Sequence, residues 1–172
     1  NVNRLNSPIQ RHRLAEWIKK QDPVNLFPQE THFTYKETHR PKIIKGWTKI
    51  FHANENQTRT KVAILISDKI DFKTKTVRRD KKGHYIIIKG SILQEAITTI
   101  NKYVPSAGAP DNKLNITGKE RDLNTIIAGD FNTPLSALDR SCRQKINKET
   151  LDLICNIEQM NLIDIYRTFH PT

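Results

Sequence analysis

Short apolar runs separated by polar breaks dominate the chain, which points to many β-strands and few helices. Val62 to Ser67 is a clear strand, and Thr125 to Ala128 is a β-branched run entering Gly129-Asp130-Phe131-Asn132. Phe72 to Val77 and His84 to Lys89 flank the basic stretch Arg78 to Gly83 as a hairpin. Val24 to Phe27 reads as a buried strand and Ile43 to Phe51 as another, anchored by Trp47. Asn54 to Thr60 reads as a turn, and Ile92 to Tyr103 as one continuing β segment. Two stretches carry helical spacing instead. Ser7-Pro8 supplies a cap and a first-turn proline, with Leu14, Trp17 and Ile18 on one face and Asp22-Pro23 as the stop. Asn147 caps a second helix, along which Leu151, Ile154, Cys155 and Glu158 keep the spacing and Leu153, Ile157 and Met160 widen the apolar side. Pro105 to Gly118 and Pro134 to Gln144 read as loops. Many strands, two helices and no interdomain break predict one α/β domain built as packed sheets flanked by helices.

Composition sharpens this picture. With 172 residues the chain can bury a real core. Lys and Arg number 29 against 18 Asp and Glu, a net +11, which favours an anionic partner, nucleic acid ahead of an acidic membrane surface. Cys142 and Cys155 have neither the spacing nor the histidine pair of a zinc site, and two scattered cysteines suit a reducing compartment, nuclear or cytoplasmic. No apolar run is long enough to cross a membrane.

The chemistry gathers at strand ends. Gly129-Asp130-Phe131-Asn132 delivers a carboxylate and an amide at the edge where open α/β sheets place their sites. Taken alone, it reads better as a strand running into an Asx turn. Glu30 also follows a strand, although alone it is an ordinary exposed glutamate, and Pro28 before it removes a ladder donor.

Taken together the strand ends say more. Asn1-Val2-Asn3, Gln29-Glu30-Thr31, Tyr103-Val104-Pro105 and Gly129-Asp130-Phe131-Asn132 occur in the order found in the endonuclease/exonuclease/phosphatase superfamily. Arg11-His12-Arg13-Leu14-Ala15, Gly83-His84-Tyr85-Ile86, Asn132-Thr133-Pro134-Leu135-Ser136 and Asp164-Ile165-Tyr166-Arg167 closely resemble the endonuclease domain of LINE retrotransposons, the apurinic-endonuclease-like domain that opens the product of the element's second reading frame. The resemblance implies a four-layer α/β sandwich of the DNase I-like type, with the site at one end of two packed sheets. It implies magnesium-dependent cleavage of DNA, with manganese as a substitute ion, in a monomer that needs no small-molecule cofactor and no membrane. By resemblance Glu30 and Asn1 hold the metal, Asp130 orients the attacking water, Asn132 hydrogen-bonds the phosphate, and Tyr103 approaches a non-bridging oxygen. Ser106, Asn132 and Arg140 would contact the DNA; a surface salt bridge serves Arg140 equally well.

The sequence also departs from that pattern. The resemblance expects a histidine base in a late Ser-Asp-His motif and an aspartate in an Ile-Asp-His motif, and no Asp-His dipeptide occurs in the 172 residues. The expectation is a single domain over 1–172 that lacks the first strand and the C-terminal strands, truncated at both ends. Pro28, Lys61 and Lys102 stand where glycine or apolar residues are usual, and Arg4 and the stretch Asp111 to Leu123 also depart. Two readings therefore stand: a magnesium-dependent endonuclease that nicks target DNA for retrotransposition, or a catalytically inactive remnant with weak, non-specific nucleic-acid binding.

Overall fold

The computed structural model describes residues 7–29, 31, 45–55, 59–104, 124–132 and 148–170. The chain divides into two compact units, Asn1–Val104 with Thr117–Phe131, and Pro105–Ile116 with Asn132–Thr172. Among its described residues the first unit contains the helix α1 (Pro8–Gln21) and seven strands: β1 (Asn25–Leu26), β2 (Lys49–Glu55), β3 (Arg59–Ile66), β4 (Phe72–Arg79), β5 (Tyr85–Ile92), β6 (Glu95–Tyr103) and β7 (Thr125–Asp130). They form two sheets, ordered β1-β3-β2 and β4-β5-β6-β7. All pairings are antiparallel except that of β6 with β7, which is parallel.

The strand β3 explains the layering. Its run Val62-Ala63-Ile64-Leu65-Ile66 is buried on both faces because both are covered. Val62, Ile64 and Ile66 join Ala53, Phe72, Ile86 and Ile88 in the core between the sheets. Ala63 and Leu65 point the other way, into a second cluster with Ile18 and Trp47, flanked by Leu14, Leu26 and Ile50. Each fully buried aliphatic side chain here contributes about 1.5–3 kcal/mol. The layers of this unit are thus α1, the three-stranded sheet and the four-stranded sheet, the mixed α/β sandwich that the sequence predicts.

Local details depart from expectation in instructive ways. Trp47 is buried as the expected anchor, but Trp17 stays 48% exposed at the shoulder of α1. Only Asn25 and Leu26 form β1; beyond them Gln29 makes an isolated bridge with Val62. Pro28 is tolerated because its carbonyl still accepts Ala63 N–H at 3.0 Å, and β1 is an edge strand among the described residues. The expected long strand from Ile92 to Tyr103 is instead broken at Leu93-Gln94, with φ of 50° and 70°, to give a two-residue hairpin.

In the second unit α2 (Lys148–Gln159) buries Thr150 and Leu153, whereas Leu151 is 51% exposed. The expected line Leu151–Cys155–Glu158 therefore lies on the exposed side. The helix ends on Asn161 at φ 49°, with Leu162 N–H donating to Ile157 O and Asn161 N–H to Glu158 O, a Schellman closure. A short helix α3 (Ile165–Phe169) follows, beyond the two helices expected, with Asp164 Oδ1 accepting Arg167 N–H at its start. Among the described residues no helix is long and apolar enough to cross a membrane. The expected loops Pro105 to Gly118 and Pro134 to Gln144 lie outside the described residues.

Candidate active site

The parallel pairing of β6 with β7 builds the candidate site. Its register sets Tyr103 opposite Asp130 at the ends of the two strands, and Val104 N–H donates to Asp130 O at 3.0 Å. Residues directly opposite in a sheet share a face. Tyr103 packs against the core between the sheets, so Asp130 stands beside it on that inner face, and both are half-buried. Gly129 is what lets β7 come this close: a Cβ there would fall 2.4 Å from Lys102 O. Lys102, a departure from the usual pattern, is half-buried rather than sealed in the core, so its ammonium does not carry the full cost of burial.

On the other side of Tyr103 lies the β4–β5 turn. Tyr103 N–H donates to His84 O at 2.8 Å. The turn is stapled by Asp80, whose Oδ2 accepts His84 N–H at 3.0 Å and lies 3.6 Å from His84 Nδ1, while its backbone carbonyl accepts Gly83 N–H. His84, Tyr103 and Asp130 thus stand in a row across three adjacent strands.

The third contributor comes from the other sheet. Gln29 is 5% exposed, and its Nε2 donates to Asn101 Oδ1 at 3.1 Å and to Lys102 O at 3.0 Å. Asn101 is fully buried, and its Nδ2 donates to Ala63 O at 2.7 Å and to Pro28 O at 3.3 Å. The residue just before Glu30 is therefore bonded to the residue just before Tyr103. Glu30, Asn1, Ser106 and Arg140 lie outside the described residues. Asn132 belongs to the second unit; it is exposed, with φ 45°, a left-handed conformation that asparagine accepts more readily than most residues.

Asp130 and Tyr103 offer oxygen donors, and among the described residues no three His, Cys, Asp or Glu side chains gather to hold a metal by protein ligands alone. An oxygen-bearing edge of this kind fits a hard cation that keeps most of its own water and needs one or two carboxylates. The amide pair Gln29–Asn101 is the feature that sequence reasoning missed. Its signal was an asparagine on the inward parity of β6, in line with Ile97, Thr99 and Tyr103, where an apolar residue is expected.

The profile of the Endonuclease/Exonuclease/phosphatase family matches residues 1–154. The chain belongs to this family. Its named activities all break phosphate-ester bonds, which makes a hydrolase of phosphate esters the coarse functional class. Solved structures agree on the fold. An AP endonuclease from Archaeoglobus fulgidus aligns with a TM-score of 0.65 at 20% identity, over 100% of this chain and 73% of its own. The endonuclease domain of TRAS1, a telomere-specific non-LTR retrotransposon, aligns at 0.62 and 13% identity, over 92% of this chain and 68% of that one. A humanized D. rerio TDP2 aligns at 0.54 and 10% identity, over 84% of this chain, which spans only 58% of its length. At these identities the likeness concerns the fold, the DNase I-like sandwich expected from the sequence.

Proposed function

We propose that the chain is a magnesium-dependent DNA endonuclease of the LINE retrotransposon type, acting on DNA in the nucleus or cytoplasm as a monomer. The observation that carries this reading is the pairing of Tyr103 with Asp130 on the inner face of the β6–β7 edge, with Gln29 bonded to the same edge. In the proposed mechanism Asp130 accepts a hydrogen bond from the attacking water and turns its lone pair toward phosphorus. The Tyr103 hydroxyl donates to a non-bridging phosphate oxygen, and Asn132 donates to the same phosphate. Glu30 and Asn1 would hold the divalent ion, which when bound neutralises charge developing on the phosphate. Ser106 and Arg140 would grip the DNA backbone.

Nicking of supercoiled plasmid with magnesium tests the reading. Asp130→Ala is expected to lower the rate about a hundredfold to ten-thousandfold, and Tyr103→Phe about a hundredfold, as for loss of one donor to a developing anion. Nicking unchanged in both variants refutes the assignment.

A second reading takes the departures at Pro28, Lys61 and Lys102 as drift in a copy no longer held to function. On that reading the polypeptide is a catalytically inactive remnant that retains only weak, non-specific nucleic-acid binding. Assaying it beside a version joined to a Ser-Asp-His-bearing segment separates the two. Cutting by the longer version alone supports the remnant, and cutting by the 172-residue chain that Asp130→Ala abolishes eliminates it.

A further inference from the structure

The interface between the two sheets is apolar along Val62, Ile64, Ile66, Ile86 and Ile88, and then turns polar at one place. There two neutral amides sit in the core, Gln29 at 5% exposure and Asn101 at 0%. One hydrogen bond joins them, from Gln29 Nε2 to Asn101 Oδ1, and three leave the pair, to Lys102 O, Ala63 O and Pro28 O, linking three separate chain segments and both sheets. Burying two amides costs free energy even when they are paired, and an apolar pair of the same size would fill the space. What the amides add is geometry, because directional bonds admit one spacing and register of the sheets where apolar contact admits several.

Their place along the strands shows which geometry matters. Lys102 O is held by Gln29 Nε2 and also lies against Gly129, with no room there for a Cβ. The next register step beyond Lys102 and Gly129 is the pair Tyr103 and Asp130. The next residue beyond Gln29 is Glu30. Amides serving only cohesion could sit anywhere along the interface; these sit near its end, Asn101 two register steps before the Tyr103–Asp130 pair and Gln29 bonded to the carbonyl one step before it.

We infer that Gln29 and Asn101 are positioning residues, a two-amide clamp that sets the spacing of Pro28–Gln29 against the Tyr103–Asp130 edge and so shapes the divalent-ion and phosphate site. This inference rests on the proposed reading of that edge. Neither amide is assigned contact with substrate; each acts through the backbone it holds.

The test uses Mn2+ as probe, with binding read by electron paramagnetic resonance, alongside thermal melting and nicking kinetics. Gln29→Met keeps length and removes the donor to Asn101 Oδ1 and Lys102 O. It is expected to weaken Mn2+ binding about 10- to 100-fold and to lower kcat in similar proportion, as loss of supporting partners does around metal sites, with KM for DNA little changed. Because that variant strands Asn101 Oδ1, the double variant Gln29→Met, Asn101→Leu removes that acceptor as well, while Ala63 O and Pro28 O lose the Asn101 donor. Its melting temperature should stay below that of the parent chain, and its Mn2+ affinity should stay low. Ile88→Val, which trims the core away from the clamp, should lower the melting temperature and leave Mn2+ affinity intact. Mn2+ affinity in Gln29→Met and the double variant equal to that of the parent chain overturns the inference and leaves the site standing. Failure of the parent chain itself to bind Mn2+ overturns the site and the inference together.

Discussion

Gly129 shows how an absent side chain decides where a catalytic group can stand. A Cβ at this position would come within 2.4 Å of Lys102 O and 3.3 Å of the Phe131 ring, so any larger residue must push β7 away from β6 just where Asp130 follows. Gly90 meets the same limit inside the first unit, with Phe72 Cζ 2.4 Å and Lys73 O 2.6 Å from a hypothetical Cβ. The obstacle at Gly90 includes an aromatic ring that can swing, whereas at Gly129 it is a backbone carbonyl in a paired ladder. Gly129→Ala should therefore cost about 1–3 kcal/mol of stability, in the range of overpacked sites, read as a lower melting temperature. It should also depress nicking beyond what the loss of folded protein explains, because Asp130 moves with the strand. A variant with parent-like melting and parent-like activity would show that β7 can step aside freely.

Asp68 does comparable work for an element rather than a residue. It follows β3, and its carboxylate accepts both the Thr48 hydroxyl and Thr48 N–H at 3.0 Å, while its own N–H donates to Gly46 O, so the end of β3 is tied to the entry of β2. The Thr48 hydroxyl, then Thr48 N–H and the charge of Lys49, hold the Asp68 pKa below the ordinary carboxylate value. A carboxylate with a lowered folded pKa stabilises the fold above its unfolded pKa, and that stabilisation is lost as pH falls through the folded pKa. Asp68→Ala should thus melt earlier than the parent at pH 7, and the gap should close as pH drops below the ordinary carboxylate range; a gap that persists in acid would contradict the assignment. Elements such as this were unevenly legible in the sequence. The strands β3 and β7 could be read because apolar runs and a strand-ending Gly-Asp are local signals, and Asp130 at the end of β7 followed from them, whereas Tyr103 entered through the family resemblance. The Leu93-Gln94 turn could not, since tight hairpins with positive φ favour Gly, Asn or Asp and this one has none of them. Gln29 and Asn101 are 72 residues apart, and no spacing rule predicts such a pair. The stripe on α2 was misjudged because Thr150, not Leu151, faces inward, and a 3.6-residue period with apolar residues on several sides does not say which side is covered.

At the scale of the molecule the dominant fact is the charge of +11. Its densest described expression is the edge strand β4 and its turn, where Lys73, Lys75, Arg78, Arg79, Lys81 and Lys82 are all exposed. Charged side chains on an edge strand also deter edge-to-edge pairing, so this basic line has a use without any ligand. Its position adds a second one. The turn is bonded through His84 O to Tyr103, so Arg78, Arg79, Lys81 and Lys82 lie at the candidate site's end of the sheet, where a polyanion reaching Tyr103 and Asp130 would meet them, while Lys73, paired with Ser91, lies toward the opposite end. Phosphate contacts bind by releasing counterions, so DNA affinity should fall steeply with salt, with a log–log slope of about −0.9 for each phosphate neutralised on duplex DNA, and with little dependence on sequence. Lys81→Glu with Lys82→Glu should make that slope shallower by about two and weaken binding equally across unrelated duplexes, and Arg140→Ala should do the same by about one. Asp130→Ala, which leaves the basic surface intact and removes a negative charge from the edge, should bind DNA at least as tightly as the parent while failing to cut it. Binding insensitive to salt and unchanged by the Lys81 and Lys82 reversal would mean that the basic line serves solubility and edge protection and does not contact DNA.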